Sequence, residues 1–170
     1  MGIKNLFKKK PDPNFTKSLD FYAPITGNLL PIEAVPDPVF SEKMMGDGFA
    51  IEPTEGKIYS PISGKVLNIF PTKHAIGLQT NEGYEILIHV GMDTVTLNGE
   101  GFRAHVKEGA TILSGSLLLE VDIELVSAKV PTLITPIVFT NLAGKTIKLK
   151  KTGMLVHGEK DILEIRDYEK

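Results

Sequence analysis

The sequence predicts an all-β domain, an antiparallel β-sandwich or barrel with internal duplication and little helix. Three observations carry this. From Leu19 on, short β-branched runs are broken by Gly and Pro, as strands joined by turns require. Ala23-Pro24-Ile25-Thr26-Gly27 recurs as Ser60-Pro61-Ile62-Ser63-Gly64, and in part as Thr135-Pro136-Ile137-Val138. Gly109 and Gly115 precede an LLLEVD run, and Gly153 and Gly158 precede a DILEI run. Repeated strand–turn units of this kind imply a quasi-duplicated sheet.

Bulk properties narrow the function classes. The 170 residues suffice for one domain with a full-sized core. A net charge of −2 gives no argument for a nucleic-acid partner. The chain has no cysteine, which excludes disulfides, thiolate metal sites and cysteine nucleophiles. No apolar run reaches membrane-spanning length and no signal peptide is visible, so the expected compartment is the cytoplasm.

Taken in order, residues 1–17 read as a flexible basic tail and residues 18–170 as the β domain. Ile3, Leu6 and Phe7 lie at helical spacing among lysines, as in a weak membrane-surface anchor. Pro11 and Pro13 end any helix there, and one or two turns bury too little apolar area to hold. Gly2 is present, but Leu6 stands where a myristoylation signal needs Ser or Thr. The proline of each repeated unit suits a strand's first residue or a sheet edge, where its missing N–H costs least.

Pro36 to Phe49 differs from its surroundings. Val39, Phe40, Met44 and Met45 lie between prolines and glycines. The segment is either an exposed apolar patch that docks a partner or a short helical turn packed on the core. Its Pro and Gly content keeps it at the surface. Asp47, between two glycines, reads as a tight turn. Leu125 to Lys129 reads as one short helical turn before Pro131.

The candidate chemistry lies in HAIGLQTNEGYEILIHVGMD, residues 74–93. Two apolar runs flank Thr80-Asn81-Glu82-Gly83, so this is a β-hairpin with a histidine on each arm. A two-residue loop at Asn81-Glu82 pairs His74 directly with His89, with Cβ atoms about 5 Å apart. A three-residue loop with Gly83 as a bulge would slip the register by one and turn the rings to opposite faces. The first register is the expected one. Leu87 then shares the face of His89, and Phe70 precedes His74, giving the pair an apolar surround. The Thr72 hydroxyl is placed to fix the His74 ring. A carbonyl near Gly91 is placed to accept the Nδ1–H of His89 and leave Nε2 as a free nucleophile. His105 and His157 stand in polar or Gly-rich surroundings and read as surface residues without a role.

The run GYEILIHVGMDTVTLNGEGF, with PTKHAIGL and VPDPVFSEKMMGDGFAIEP before it, resembles the glucose-type enzyme IIA of the bacterial phosphoenolpyruvate-dependent sugar phosphotransferase system. The similarity covers about residues 20–168 and keeps the order of all three blocks. The resemblance implies an antiparallel β-sandwich with internal duplication. It implies that His89 accepts a phosphoryl group on Nε2, that His74 contacts the group without accepting it, and that Thr72 supports the pair. Asp37, Phe40, Met44, Met45, Phe70, Leu87, Asp93 and Val95 match positions around the partner-docking face, beside Val39 of the apolar patch. The implied donor is the phosphohistidine of the carrier HPr, and the implied acceptor is a cysteine on the IIB domain of a sugar permease. Other permeases or enzymes are implied as regulatory partners. No metal is needed for the transfer, although a regulatory zinc at His74 and His89 is compatible with it. A monomer is expected.

Two rivals are weighed against this. A zinc hydrolase of related β-architecture would use His74 and His89, but it wants a third ligand, for which Asp93 is the nearest candidate. A biotinyl- or lipoyl-type carrier is suggested by AHVKEGATILSGSLLLEVD, but the modified lysine at a hairpin tip is missing.

Overall fold

The computed structural model describes residues 19–167. Thirteen strands form β1 (Gly27–Pro31), β2 (Asp47–Pro53), β3 (Lys57–Tyr59), β4 (Gly64–Ile69), β5 (Ala75–Thr80), β6 (Glu85–His89), β7 (Phe102–Ala104), β8 (Thr111–Ile112), β9 (Leu117–Val121), β10 (Thr135–Phe139), β11 (Lys145–Leu149), β12 (Gly153–Leu155) and β13 (Leu163–Asp167). All pairings are antiparallel. Among the described residues, helix is confined to four short turns. The basic tail read for residues 1–17 lies outside the described residues.

One eight-stranded sheet dominates, in the order β12-β1-β2-β10-β6-β5-β4-β8. That order reads the same from either end once β12 is matched with β8, β1 with β4, β2 with β5 and β10 with β6. The repeated sequence units explain the symmetry. Tyr22 N–H donates to the Pro61 carbonyl and Tyr59 N–H to the Pro24 carbonyl, each at 2.9 Å. Gly158 N–H donates to the Ala23 carbonyl and Gly115 N–H to the Ser60 carbonyl, each at 2.8 Å. The two glycine-bearing echoes thus close on the two proline-bearing echoes in the same way. A quasi-two-fold axis passes between β6 and β10, where Ile88 pairs with Ile137.

The glycine that ends each proline-bearing echo has a steric cause. A β-carbon at Gly27 would lie 2.2 Å from the Glu52 carbonyl oxygen, and one at Gly64 would lie 1.9 Å from that of Gln79. Each glycine opens a strand where its neighbour's backbone comes too close for a side chain. Pro24 and Pro61 sit just before these strands, but Pro136 does not follow the edge rule. It is the second residue of β10, in the middle of the large sheet. There it faces Ala50 of β2, and the ladder to β6 starts one residue later, at Ile137.

Period-2 alternation divides the sheet's two faces. Ile76, Leu78, Ile86 and Ile88 enter the main core with Phe49, Ile137 and Phe139, together with Ile58, Phe102, Leu118 and Leu119 of the three-stranded sheet β3-β9-β7. Ala75, Leu87, Ala50 and Val138 point the other way, into a smaller cluster with Ile32, Val35, Phe40 and Met92. Phe40 belongs to a helical turn, Pro38–Ser41, capped by the Asp37 carboxylate on Val39 N–H at 2.9 Å. The segment is thus a short helical turn packed on the core that also leaves apolar side chains at the surface. Phe40 is buried, while Val39, Met44 and Met45 are exposed.

Two local expectations are corrected. Asp47 is not a turn residue but opens β2, and its carboxylate accepts from Gly48 N–H and, across to β11, from Ile147 N–H at 2.9 Å. The helical turn expected over Leu125 to Lys129 runs Ile123–Ser127, two residues earlier, because Asp122 caps it by accepting from Leu125 N–H.

Candidate functional site

The hairpin takes the register that the sequence reading set aside. Ala75, not His74, pairs with His89, and Gln79 pairs with Glu85. The cause is the turn. Thr80 N–H bonds the Tyr84 carbonyl, Gly83 N–H bonds the Thr80 carbonyl, and the Thr80 hydroxyl accepts from Tyr84 N–H. Gly83 has φ of 102°, so residues 81–83 form a three-residue loop.

The rings nevertheless meet on one face. His74 is outside β5, on a bend that Lys73 enters with φ of 57°. Alternation counts only within a strand, and the bend re-aims His74 before it applies. Phe70 N–H bonds the Ala75 carbonyl and Lys73 N–H the Phe70 carbonyl, closing the bend, while the His74 carbonyl accepts from Val90 N–H at 2.7 Å. The two imidazole centroids lie 5.0 Å apart with planes at 81°.

Each ring is held by a second group. Nδ1 of His89 lies 2.9 Å from the Gly91 carbonyl oxygen. A carbonyl only accepts, so Nδ1 carries the proton of the neutral ring and Nε2 is left with a bare lone pair. Nδ1 of His74 lies 2.5 Å from the Thr72 hydroxyl. Phe40 packs on His89 at 5.2 Å between centroids, and Phe70 stands edge-on to His74 at 5.4 Å. Leu87 and Phe70 belong to the same apolar cluster as Phe40.

Burial sets the charge state. His74 is 3% exposed, and its pKa is lowered to about 4 by burial first and by the charge of His89 second. Burial also lowers the pKa of His89, opposed by the hydrogen bond to Gly91 and by the Asp37 carboxylate. Both rings are neutral at pH 7. The native state thus binds fewer protons than the unfolded chain between about pH 6.5 and pH 4, so its stability falls as pH drops through that window. His74→Gln is expected to remove roughly 2 kcal/mol of that fall, the full shift being discounted for water at the open side of the site. Urea unfolding of both proteins from pH 7 to pH 4 measures this, and parallel curves would contradict it.

The remaining sequence candidates are dispersed. Asp37 is half-buried and caps the Phe40 turn. Val39, Met44, Met45, Asp93 and Val95 are exposed and stand outside the apolar cluster. Among the described residues, no group of three His, Asp or Glu side chains is placed to hold a metal ion. The zinc-hydrolase alternative therefore lacks its third ligand, and Asp93 does not supply one. His105 and His157 are exposed as read, yet each has a partner. His105 faces Glu120 at 3.1 Å, and His157 stacks on Tyr59 at 4.2 Å. The sequence reading missed the cluster's far wall, Ile32, Ala50, Met92 and Val138. The partial third echo, Thr135 to Val138, was the available signal, since it places Val138 beside Leu87. No helix of the described residues is long and apolar enough to cross a membrane.

Comparisons with known proteins point one way. The family model described as phosphoenolpyruvate-dependent sugar phosphotransferase system, EIIA 1, matches residues 19–144. A glucose-specific EIIA component of Staphylococcus epidermidis is 44% identical over 164 residues, 96% of this chain and 98% of that protein. Its counterpart in Halalkalibacterium halodurans is 52% identical over 121 residues, 71% of this chain and 70% of that protein. The solved structure of glucose permease IIA from Mycoplasma capricolum superposes with a TM-score of 0.83 at 44% identity, covering 88% of this chain and 97% of that one.

Proposed function

Since the chain belongs to the EIIA type 1 family of the phosphoenolpyruvate-dependent sugar phosphotransferase system, we propose that His89 carries a phosphoryl group from phospho-HPr to the IIB domain of a glucose-family permease. One observation carries the assignment to His89 rather than His74. The Gly91 carbonyl on Nδ1 leaves Nε2 of His89 bare and His89 is only half-buried, whereas His74 is buried.

Nε2 attacks the phosphorus of the carrier's phosphohistidine. The new N–P bond forms as the carrier's N–P bond breaks, and the electron pair returns to the carrier's imidazole. No proton has to move. The phosphorylated ring then bears substituents on both nitrogens and has imidazolium character, so its Nδ1–H bond to Gly91 strengthens. The transition state is loose and in line, so positioning and charge stabilisation dominate. A Thr72 hydroxyl donating to Nδ1 of His74 leaves the proton of that ring on Nε2, where it donates to a phosphoryl oxygen. Neutrality of His74 makes it a dipolar donor and not a competing charge.

Phe40, Phe70 and Leu87 surround the pair with apolar surface. A docked partner completes the exclusion of water, which protects phosphohistidine from hydrolysis. Asp37 and Asp93 offer carboxylates to basic side chains of that partner. The test combines the full chain with enzyme I, HPr and phosphoenolpyruvate. Intact mass is expected to rise by one phosphate, acid-labile and base-stable, mapped to His89. No phosphate, with HPr shown to be charged, would overturn the reading.

A further inference from the structure

The carbonyl that sets the His89 tautomer belongs to the Gly91–Met92 peptide, and the other end of that peptide is also held. Met92 N–H donates to the Thr132 carbonyl at 3.1 Å. A peptide's C=O and N–H point in opposite directions within one plane. Holding the N–H on Thr132 therefore aims the carbonyl back at His89. The preceding peptide is fixed too, since the Thr94 hydroxyl donates to the Val90 carbonyl at 2.7 Å. Gly91 sits between these clamps with φ of 68°, and a β-carbon there would lie 2.9 Å from the Thr132 carbonyl oxygen.

Thr132 lies outside any strand, so no ladder orients its carbonyl. Its side chain does so instead. Oγ1 of Thr132 accepts from Ile134 N–H at 3.1 Å, a local side-chain turn that sets the backbone between Pro131 and β10. Thr135 closes the next step by donating its hydroxyl to the Leu133 carbonyl at 2.8 Å. Hydrogen bonds then run in series from the Thr132 carbonyl through the Gly91–Met92 peptide to Nδ1 of His89. Each polarises the next.

We propose that Thr132 is a positioning residue for His89: its hydroxyl oxygen holds the carbonyl that aims the Gly91–Met92 peptide, and so keeps the proton of the neutral ring on Nδ1 and the lone pair on Nε2. Its kinetic consequence rests on the phosphocarrier reading, but its structural content does not. Without the Thr132 oxygen the peptide tilts, the tautomer lock loosens, and part of the population carries its proton on Nε2, where it blocks attack. The imidazolium formed on transfer also loses part of its acceptor.

The test records ring-nitrogen NMR spectra of His89 at pH 7.5 in the full-length, uncharged protein and its Thr132→Val, Thr132→Ala and Thr132→Ser variants. The wild type and Thr132→Ser are expected to show the Nδ1–H tautomer alone. Thr132→Val and Thr132→Ala should show a mixture with Nε2–H. Phosphoryl uptake from phospho-HPr should slow about tenfold in these two and recover in Thr132→Ser. Thr132 is half-exposed, so all four proteins should keep similar unfolding midpoints. Ring spectra of Thr132→Val and Thr132→Ala identical to the wild type would overturn the proposal. If the spectra move but no form takes up phosphate, the positioning role stands and the phosphocarrier reading falls.

Discussion

His89→Gln is expected to take up no phosphoryl group at all. The reason is chemical. Glutamine retains a donor and an acceptor but has no nitrogen lone pair free to attack, because its nitrogen is conjugated into the amide. His89 is half-buried at the end of β6, and its ring contributes one hydrogen bond, to Gly91. The substitution should therefore leave the sheet intact, with near-wild-type thermal unfolding. Intact mass after incubation with enzyme I, HPr and phosphoenolpyruvate gives the answer directly. A phosphate found on His74 in this variant would reverse the roles assigned to the two rings.

His74→Gln should separate the two halves of the reaction. The nucleophile and its Gly91 lock are untouched, so uptake of phosphate from phospho-HPr persists. Onward transfer suffers. As the Nε2–P bond of His89 breaks and the group passes to the IIB cysteine, the phosphoryl oxygens of the loose transition state have lost their nearest donor. Removal of one such preorganised donor costs about 3 kcal/mol, or about 10²-fold in rate. Rapid-quench measurement of phosphate leaving the variant toward a IIB domain reads that loss. A variant that cannot be charged in the first place would place His74 in the accepting step instead.

Much of this site was legible because its determinants are local. Thr72 and His74 are two residues apart, as are His89 and Gly91, and each pair makes its hydrogen bond within its own bend. The duplication was legible because its motifs recur in sequence. The hairpin register was not. It turned on whether Gly83 used its freedom to adopt positive φ, and Asn81-Glu82 and Asn81-Glu82-Gly83 are both sound loops by composition. The convergence of the rings in the slipped register depended on Lys73, a residue type that gives no hint of a left-handed bend. Val138 and Thr132 escaped notice for another reason. They reach the site through β10 and the segment before it, far away in the chain, and no local pattern marks such a partner.

The mirrored sheet also dictates an order of assembly during synthesis. Until Thr135–Phe139 has emerged from the ribosome, β2 and β6 are both open edges, and His89 stands on one of them. Each exposes unpaired backbone groups able to recruit another chain. Insertion of β10 closes both edges at once and joins segments distant in the chain, a topology that folds slowly. In the finished eight-stranded sheet the outermost strands are β8 with two residues and β12 with three, too short to template aggregation. The nascent protein is most vulnerable just before the strand that ends in His89 is walled in, and a chain that stops short of β10 would depend on chaperones to stay in solution.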